Sequence, residues 1–217
     1  MANKDELSDN LREKIKTFDE DGIEAAIKEM CDAGISAVET VAVIGETMNY
    51  LGKLFEKMEV ALPELVLAGD GVKRGMVHIE KALEETGEEI EKMGTVIHGT
   101  VQGDIHSVGK DMVEMFLMTS GFDVTDLGTD VAPRVFIEEA ERLGADIICA
   151  SALMSTSMPV QRDLVDFIEA KGLADKYKIM VGGGPVTMAW AERIGADGWG
   201  KDAVEARTMA MKLLGKD

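Results

Sequence analysis

The sequence predicts an α/β protein built of two domains, a four-helix bundle followed by a Rossmann-like domain with a five-stranded parallel sheet. Up to about residue 86, apolar residues recur three and four positions apart, which is the period of amphipathic helices. Further along, short apolar runs alternate with amphipathic segments, as in a parallel sheet covered on both faces. Residues 84–92 carry five glutamates and read as a solvated linker. We therefore predict domains at 1–88 and 89–217.

Four helices are expected in the first domain. Asp21 is a candidate cap for the second helix and Gly34 a candidate end. Ser36 and Glu39 have the spacing of a capping box for the third helix. Pro63 is expected to begin the fourth, because the N–H that proline lacks has no partner in a first turn anyway. The apolar stripe of the third helix runs through Val38, Val41, Ile44, Met48, Leu51, Leu54 and Phe55.

Five strands are expected in the second domain, with helices between them and a last helix at 203–214. The predicted strands are 94–101, 122–127, 146–151, 178–181 and a short one near residue 198. Ligands of parallel sheets bind beyond the carboxyl ends of the strands. Residues that follow these strands are therefore the first candidates for a functional site.

Composition and charge argue against several classes of protein. The formal net charge of −18 would repel a phosphate backbone, so nucleic acid is not an expected partner. No segment approaches the run of about 18 apolar residues that a membrane helix needs, and the polar N-terminus does not resemble a signal peptide. Cys31 and Cys149 are isolated, which is typical of reduced thiols. We expect a cytoplasmic protein without a membrane partner.

A histidine with a nearby carboxylate follows the first predicted strand, in Gly103-Asp104-Ile105-His106-Ser107-Val108-Gly109-Lys110. A helix is expected after it, at 111–119. A carboxylate two residues away can accept the second ring N–H of His106, which fixes the tautomer and raises the basicity of the other nitrogen. His106 is thus a candidate metal ligand, although a simple loop salt bridge explains this pair equally well. His78 and His98 lack such a carboxylate and are expected to be structural.

Two further segments are expected at the same edge of the sheet. Ser151-Ala152-Leu153 ends the third strand, and Gly182-Gly183-Gly184 ends the fourth. Glycines let a ligand approach the backbone closely, and Ser151 offers a hydroxyl in an otherwise apolar slot. A tight turn is the alternative explanation of the glycines, but a turn needs only one of them. The three segments together predict one ligand site.

The combined spacing resembles the cobalamin-binding pattern Asp-x-His-x-x-Gly, Ser-x-Leu, Gly-Gly of methionine synthase, corrinoid methyl carriers and B12-dependent mutases. The resemblance implies that His106 binds cobalt in place of the cofactor's own dimethylbenzimidazole base, with Asp104 hydrogen-bonded to it. It implies that the nucleotide tail threads between Ser151 and Gly183, and that Ser157 completes a proton relay through Asp104. The segment 195–203 resembles the end of the same fold. The implied cofactor contacts are Gly103, Asp104, His106, Ser107, Gly109, Ser151, Leu153, Ser155, Gly182, Gly183 and Ala203.

The helical domain resembles the cap of methionine synthase, whose signature corresponds to residues 54–63. Phe55 and Leu62 match the two residues that shield the cobalt-bound methyl group there, while ordinary bundle core is the alternative for both. Mutase subunits lack such a bundle. Cobalamin-sensing regulators add a basic DNA-binding domain, and nothing before residue 86 is basic enough for one. The resemblance thus favours a corrinoid protein of methylamine-, betaine- or methanol-type methyltransferase systems over a sensor or a mutase subunit.

This resemblance implies a methyl carrier that is a component of a methyltransferase system and not a catalyst by itself. A substrate-specific methyltransferase would load the methyl group on cobalt(I), and a second would pass it to tetrahydrofolate or a thiol cofactor. His106 would leave cobalt and gain a proton as the methyl departs, with Asp104 and Ser157 adjusting the cost. A reductive activation protein is a third implied partner. The donor could be a methylamine, a betaine, methanol or a methoxy compound.

Overall fold

The computed structural model of the chain divides into two compact units, Met1–Glu91 and Lys92–Asp217. We call them the helical unit and the sheet unit. The structure describes residues 3–88 and 92–216. The first three residues of the predicted linker belong to a helix, and residues 89–91 lie outside the described part. In the described ranges, no helix is both long and apolar enough to cross a membrane.

The helical unit contains the helices α1 (Lys4–Lys16), α2 (Glu20–Asp32), α3 (Ala37–Glu56) and α4 (Leu62–Thr86). Glycines allow α2 and α4 to pack closely. A Cβ atom on Gly75 would lie 2.3 Å from Cδ1 of Ile27, and one on Gly71 would lie 2.9 Å from the carbonyl oxygen of Glu20. Alanine at Gly71 would therefore push the two helices apart, and alanine at Gly75 would displace the end of the Ile27 side chain.

The caps of α2 and α3 test two expectations from the sequence. The assignment of Asp21 as the cap of α2 was wrong, because the cap lies two residues earlier, at Asp19, which accepts the N–H of Gly22. Both aspartates precede the apolar stripe, so the pattern did not separate them. The Ser36 half of the capping box of α3 is confirmed, since Oγ of Ser36 accepts the N–H of Glu39 at 3.2 Å, whereas the Glu39 side chain forms an ion pair with Lys4.

Two smaller expectations about α3 and α4 were also inaccurate. Helix α4 begins at Leu62, one residue before Pro63, and proline is tolerated there because the N–H groups of the whole first turn have no intrahelical partner. Val38 is 49% exposed and does not belong to the buried stripe. At 100° per residue it lies about 120° around the helix from Ile44. The fully buried residues of this stripe are Ile44, Met48 and Leu51.

The sheet unit has five parallel strands in the order β2-β1-β3-β4-β5, which confirms the predicted fold. The strands are β1 (Gly94–Thr100), β2 (Phe122–Asp126), β3 (Ile147–Ser151), β4 (Lys178–Gly182) and β5 (Gly198–Trp199). The helices are α5 (Val108–Met118), α6 (Pro133–Leu143), α7 (Met158–Ala170), α8 (Met188–Ile194) and α9 (Ala203–Leu213). Helix α5 begins three residues earlier than expected, because Gly109 continues the first turn and does not extend the loop.

Alternate residues of the strands face two separate cores. Ile97 and Ile148 point to the face covered by α6, α7 and α8, whereas Val96 and Ile147 point to the face covered by α5 and α9. The chain therefore leaves β1 and β3, which are neighbours, toward opposite faces. Such a reversal opens a crevice beyond the carboxyl ends of the strands. The last residues of β1, β3 and β4 are in register there, as Thr100, Ser151 and Gly182.

Candidate functional site

The loop after β1 is fixed by hydrogen bonds before and after His106. Gly103 has a φ of +82°, a conformation that favours glycine, and its N–H donates to Oδ1 of Asp130 at 2.7 Å. The N–H of Asp104 donates to the carbonyl of Val101. Oγ1 of Thr100 donates to the carbonyl oxygen of His106 at 2.8 Å. The backbone of His106 is thus hydrogen-bonded to the last residue of β1.

Asp104 is fully buried and accepts hydrogen bonds on both of its carboxylate oxygens. Oδ1 lies 2.7 Å from Nδ1 of His106 and also accepts the backbone N–H of His106. Oδ2 accepts from Oγ of Ser157 at 2.7 Å and from the N–H groups of Leu153 at 2.8 Å and Met154 at 3.1 Å. The expected hydrogen bond between Asp104 and His106 is present, and Ser157 contacts the same carboxylate.

The environment of Asp104 keeps this carboxyl group ionised. Burial alone would raise its pKa, but the hydrogen bonds from Ser157, His106 and Leu153 outweigh burial and hold the pKa well below its ordinary value. An ionised carboxylate can only accept hydrogen bonds, so Nδ1 of His106 carries a hydrogen. In the neutral ring, Nε2 is then the nitrogen with a free lone pair. The imidazole is 48% exposed, which leaves it accessible to a metal.

The ends of β3 and β4 approach each other so closely that a side chain is excluded at Gly183. Its φ is +122°, and a Cβ atom there would lie 1.9 Å from the carbonyl oxygen of Ala152. A Cβ atom on Gly182 would meet nothing closer than 3.6 Å. The backbone requirement for glycine therefore applies to Gly183, next to Ser151, which is partly buried at the end of β3.

Exposed apolar side chains lie near His106 in the segment after β1 and in the segment after β3. Ile105 is 78% exposed, Val108 is 55% exposed and Leu153 is 45% exposed. Apolar groups exposed together with a few convergent polar groups are typical of a ligand surface. The donor set at His106 is one imidazole whose orientation is fixed by Asp104. These features fit a large, partly apolar cofactor whose metal takes one nitrogen ligand from the protein.

The other predicted contacts lie in segments that follow carboxyl ends of strands. Ser107 precedes α5 directly, and Gly109 stands in its first turn with open space around its Cα atom. Ser155 is exposed in the turn before α7. Ala203 is the first residue of α9, after β5. Their contact with a cofactor stays a prediction.

The two residues predicted to shield a methyl group lie at one end of the helical unit. Phe55 is partly buried near the end of α3, and Leu62, the first residue of α4, is 44% exposed. Between them, Met58 is 93% exposed and has a φ of +59°. Their contact with a cofactor likewise stays a prediction.

A second cluster of charged groups lies in the sheet unit. Carboxylate oxygens of Asp111, Glu114 and Asp126 are within 4.8 Å of one another, close enough to hold a metal ion. The ammonium group of Lys110 already lies among them, and its side chain is 1% exposed. Burial would lower the pKa of Lys110, but its bonds to Asp111 and Asp126 raise it above its ordinary value. A lysine thus provides the cation of this cluster.

The remaining histidines and cysteines agree with structural roles. His98 is buried in β1, and burial lowers its pKa to about 3, so it is neutral. His78 lies 3.8 Å from Glu24 on the helical unit. Both cysteines are free, and burial raises the pKa of the Cys149 thiol.

Gln161 is a buried polar residue that the sequence analysis did not single out. Its Nε2 donates to the carbonyl oxygens of Ala150 at 2.9 Å and Gly182 at 3.0 Å. Its Oε1 accepts the indole N–H of Trp190 at 3.0 Å. A glutamine on the apolar face of a helix was the available signal, because Leu164 follows it on the same buried stripe.

Comparisons with known proteins identify the family. A family model described as a B12 binding domain matches residues 94–208, and a second B12 binding domain model matches residues 7–80. Dimethylamine corrinoid protein 2 of Methanosarcina acetivorans is 38% identical over 99% of both chains. The chain belongs to the corrinoid protein family. Its cofactor is accordingly a corrinoid of the cobalamin type.

Further members of the corrinoid protein family differ in the methylamine for which they are named. Trimethylamine corrinoid protein 2 of Methanosarcina acetivorans is 40% identical over 95% of both chains. The structure of the Methanosarcina barkeri monomethylamine corrinoid protein matches with a TM-score of 0.54 and 34% identity, over 97% of this chain and 100% of the other. Because these likenesses extend over both units, a regulatory domain or a mutase subunit is not favoured.

Proposed function

We propose that this protein carries a methyl group between two methyltransferases, on the cobalt of a corrinoid that His106 binds through Nε2. The Asp104–His106 pair supports this proposal most strongly. A buried, ionised carboxylate holds Nδ1–H at 2.7 Å and leaves Nε2 on a half-exposed ring. Partners of this kind orient metal-binding histidines and raise their basicity. When bound, the corrinoid supplies a cobalt centre that accepts and releases a methyl group.

The crevice beyond β3 and β4 is the proposed seat of the cofactor's nucleotide tail. Gly183 brings the two strand ends together without a side chain, and Ser151, partly buried at the end of β3, offers a hydroxyl. The remaining proposed contacts are Gly103, Ser107, Gly109, Leu153, Ser155, Gly182 and Ala203.

The same residues can hold a proton when His106 is released from the metal. Nε2 would then take up the proton, and the resulting imidazolium would face the ionised Asp104. Asp104 does not need that proton, since the N–H groups of Leu153 and Met154 and the hydroxyl of Ser157 already stabilise its charge. The proton would therefore stay on the ring, and Ser157 acts as a positioning residue for the carboxylate.

The partner that loads the methyl group is proposed to be a substrate-specific methyltransferase for a methylamine. Relatives named for mono-, di- and trimethylamine that match over 95% or more of this chain are 34–40% identical to it, so identity over the full length does not separate the three donors. The second methyltransferase, to tetrahydrofolate or a thiol cofactor, and a reductive activation protein complete the proposed system. A cytoplasmic location is proposed because both cysteines are free thiols.

The helical unit is proposed as a domain, residues 1–88, that covers the methyl face of the cofactor through Phe55 and Leu62. An exposed leucine at the first residue of a helix supports this role, since burial of such a side chain is worth about 1.5–3 kcal/mol. Loss of both side chains by Phe55→Ala and Leu62→Ala should speed photolysis of the bound methylated cofactor. Leu67→Ala, which removes another exposed leucine of α4, is the control and should not. Equal rates in all three proteins would contradict a shielding role.

The spectrum of the reconstituted protein tests the ligand. The cobalt(II) form should give an electron paramagnetic resonance signal split by one nitrogen, and ¹⁵N-labelling of the protein's histidines should change that splitting. His106→Ala should abolish the histidine contribution, while His78→Ala should retain it. A nitrogen splitting that does not change when the histidines are labelled would mean that the cofactor's own base remains bound to cobalt.

The class of reaction is tested with the methyltransferase that co-purifies with the protein. Incubating it with a methylamine and the reduced carrier should produce the absorption spectrum of the methylated cofactor. A protein that is stable only with an adenosyl group, and rearranges a carbon skeleton, would contradict the proposal.

A further inference from the structure

We propose that Gln161 is a positioning residue that fixes the seat of the cofactor's nucleotide tail, by holding the carboxyl ends of β3 and β4 at one separation. This inference rests on the proposed tail-binding role of the crevice beyond these strands. Gln161 itself does not need to touch the cofactor. It lies fully buried in the first turn of α7 and acts on the backbone on which Ser151 and Gly183 stand.

The amide of Gln161 joins the two strands directly. Nε2 donates to the carbonyl of Ala150, the residue before Ser151, and to the carbonyl of Gly182, the residue before Gly183. Gly182 also accepts the N–H of Ala152 at 3.0 Å, so its carbonyl is bonded from both sides. Both strand ends are therefore bonded to one side-chain nitrogen at the last residues before the crevice.

The orientation of this amide is determined by its neighbours. The indole N–H of Trp190 can only donate, so the atom facing it must be the oxygen of Gln161, and Nε2 must face the two carbonyls. The guanidinium groups of Arg162 and Arg193 each lie 5.0 Å from the centre of the Trp190 ring, which holds the indole in place. The amide therefore cannot flip without losing all three hydrogen bonds.

The crevice has little tolerance for a shift of either strand. The Cα of Gly183 approaches the carbonyl of Ala152 so closely that no Cβ atom fits. A change of a few tenths of an ångström between β3 and β4 would alter both the approach to Gly183 and the position of the Ser151 hydroxyl. An apolar side chain of the same volume would fill the space on this face of α7, but it would leave the indole N–H of Trp190 without its acceptor. A fully satisfied buried network instead specifies one geometry.

The test compares two corrinoids that differ only in the tail. Gln161→Met keeps the side-chain volume and removes the hydrogen bonds. Parent and variant are titrated with hydroxocobalamin and with hydroxocobinamide, which has the same corrin ring and no nucleotide tail, and binding is followed by visible absorption. The dissociation constant for hydroxocobalamin should rise at least tenfold, while that for hydroxocobinamide should change less than twofold.

Two further variants separate positioning from a loss of stability. Val165→Ala truncates a buried side chain on the same helix without touching a hydrogen bond, and should leave the ratio of the two constants unchanged. Trp190→Phe removes the N–H that orients the amide together with part of the buried indole ring, and should raise the hydroxocobalamin constant selectively by a smaller factor. This second variant decides the question if Gln161→Met does not fold.

Other outcomes overturn the inference in distinguishable ways. An equal loss of affinity for both corrinoids, or no loss for either, would show that Gln161 does not act on the tail seat. If the parent protein binds both corrinoids equally well, the tail seat itself is wrong and the inference falls with it. Ligation by His106 would be unaffected by that result, because the histidine-dependent signal of cobalt(II) measures it separately.

Discussion

Each unit of this protein holds a cation among three carboxylates, and the two clusters differ in burial. On the helical unit, the Arg74 guanidinium is 41% exposed and lies 2.9–3.3 Å from Glu20, Asp21 and Glu24. In the sheet unit, the Lys110 side chain is 1% exposed and lies 2.6–3.6 Å from Asp111, Glu114 and Asp126. The same combination of charges is therefore built around an exposed cation in one unit and around a buried cation in the other.

The difference shows where this fold tolerates the cost of burying charge. Exposed ion pairs are screened and contribute little to stability. A buried cation is costly to transfer from water, and its removal leaves carboxylates without compensation. Among the described residues, the buried charged groups Asp104, Lys110 and Glu114 and the buried His98 all belong to the sheet unit. Asp104 and Lys110 lie in the segment that leads from β1 into α5, around His106, where the position of the backbone matters for binding.

The largest expected effect is that of removing the two cations in turn. Lys110→Met should lower the free energy of unfolding of the sheet unit by about 3 kcal/mol, because it removes the buried ammonium group that faces the buried Glu114 and the partly buried Asp126. Arg74→Met should leave the stability of the helical unit nearly unchanged. Urea denaturation measures both, with fluorescence of Trp190 and Trp199 reporting on the sheet unit and circular dichroism on the helices. Equal losses of stability in the two variants would contradict the conclusion that burial makes the Lys110 cluster more important for stability than the Arg74 cluster.

Asp104→Asn tests whether cobalamin binding depends on the hydrogen bonds around Asp104 and not on the charge cluster around Lys110. One amide cannot accept all the hydrogen bonds that reach Asp104, and its NH₂ group would face donors. We expect a stability loss of about 2 kcal/mol and a cobalamin affinity lower by about 10–100-fold. Lys110→Met, where it folds, should instead keep the histidine-dependent cobalt(II) signal. A normal cobalamin affinity in Asp104→Asn would contradict the role given to this carboxylate.

A change in pH should reveal the effect of the buried His98 on stability. The pKa of His98 is about 3 in the folded protein, well below its ordinary value of 6.5, because burial opposes its charge. Between pH 6.5 and 3, His98 is protonated in the unfolded chain but neutral in the folded protein. The free energy of unfolding therefore decreases as the pH falls from 6.5 toward 3. His98→Asn should flatten the dependence of the free energy of unfolding on pH in this window by about 1.4 kcal/mol per pH unit. An unchanged slope would mean that His98 is protonated in the folded protein.

The smallest expected effect tests strain in the exposed turn of the helical unit. Met58 has a φ of +59° and is 93% exposed, so little packing compensates for its left-handed backbone. Met58→Gly should stabilise the helical unit by about 1 kcal/mol. The control is Lys57→Gly, at a neighbouring residue whose φ is −85°, which should give no such gain. Thermal unfolding followed by circular dichroism measures the change in melting temperature of both variants. Equal changes in the two variants would exclude relief of strain at Met58.

Much of the fold was predictable because it follows from local periods. Apolar residues three and four apart indicated α1 to α4, and short apolar runs indicated β1 to β4 to within one residue at each end. The bounds that were wrong involve choices between near-equivalent residues. Asp19 and Asp21 are both able to cap α2, and Gly109 is compatible with either a loop or a first helical turn.

The part of the site that the sequence by itself determined is also local. Asp104 and His106 are two residues apart and follow β1 directly, so their hydrogen bond and their place at the carboxyl edge could be inferred. Only the tertiary structure decided which distant groups complete the site. Oδ2 of Asp104 accepts from Leu153, 49 residues away, and Gln161 joins the ends of β3 and β4. The sequence shows how often a residue type recurs and which residues are close along the chain. The pairing of buried polar groups depends instead on how strands and helices pack, because packing brings together donors and acceptors that are far apart in the sequence.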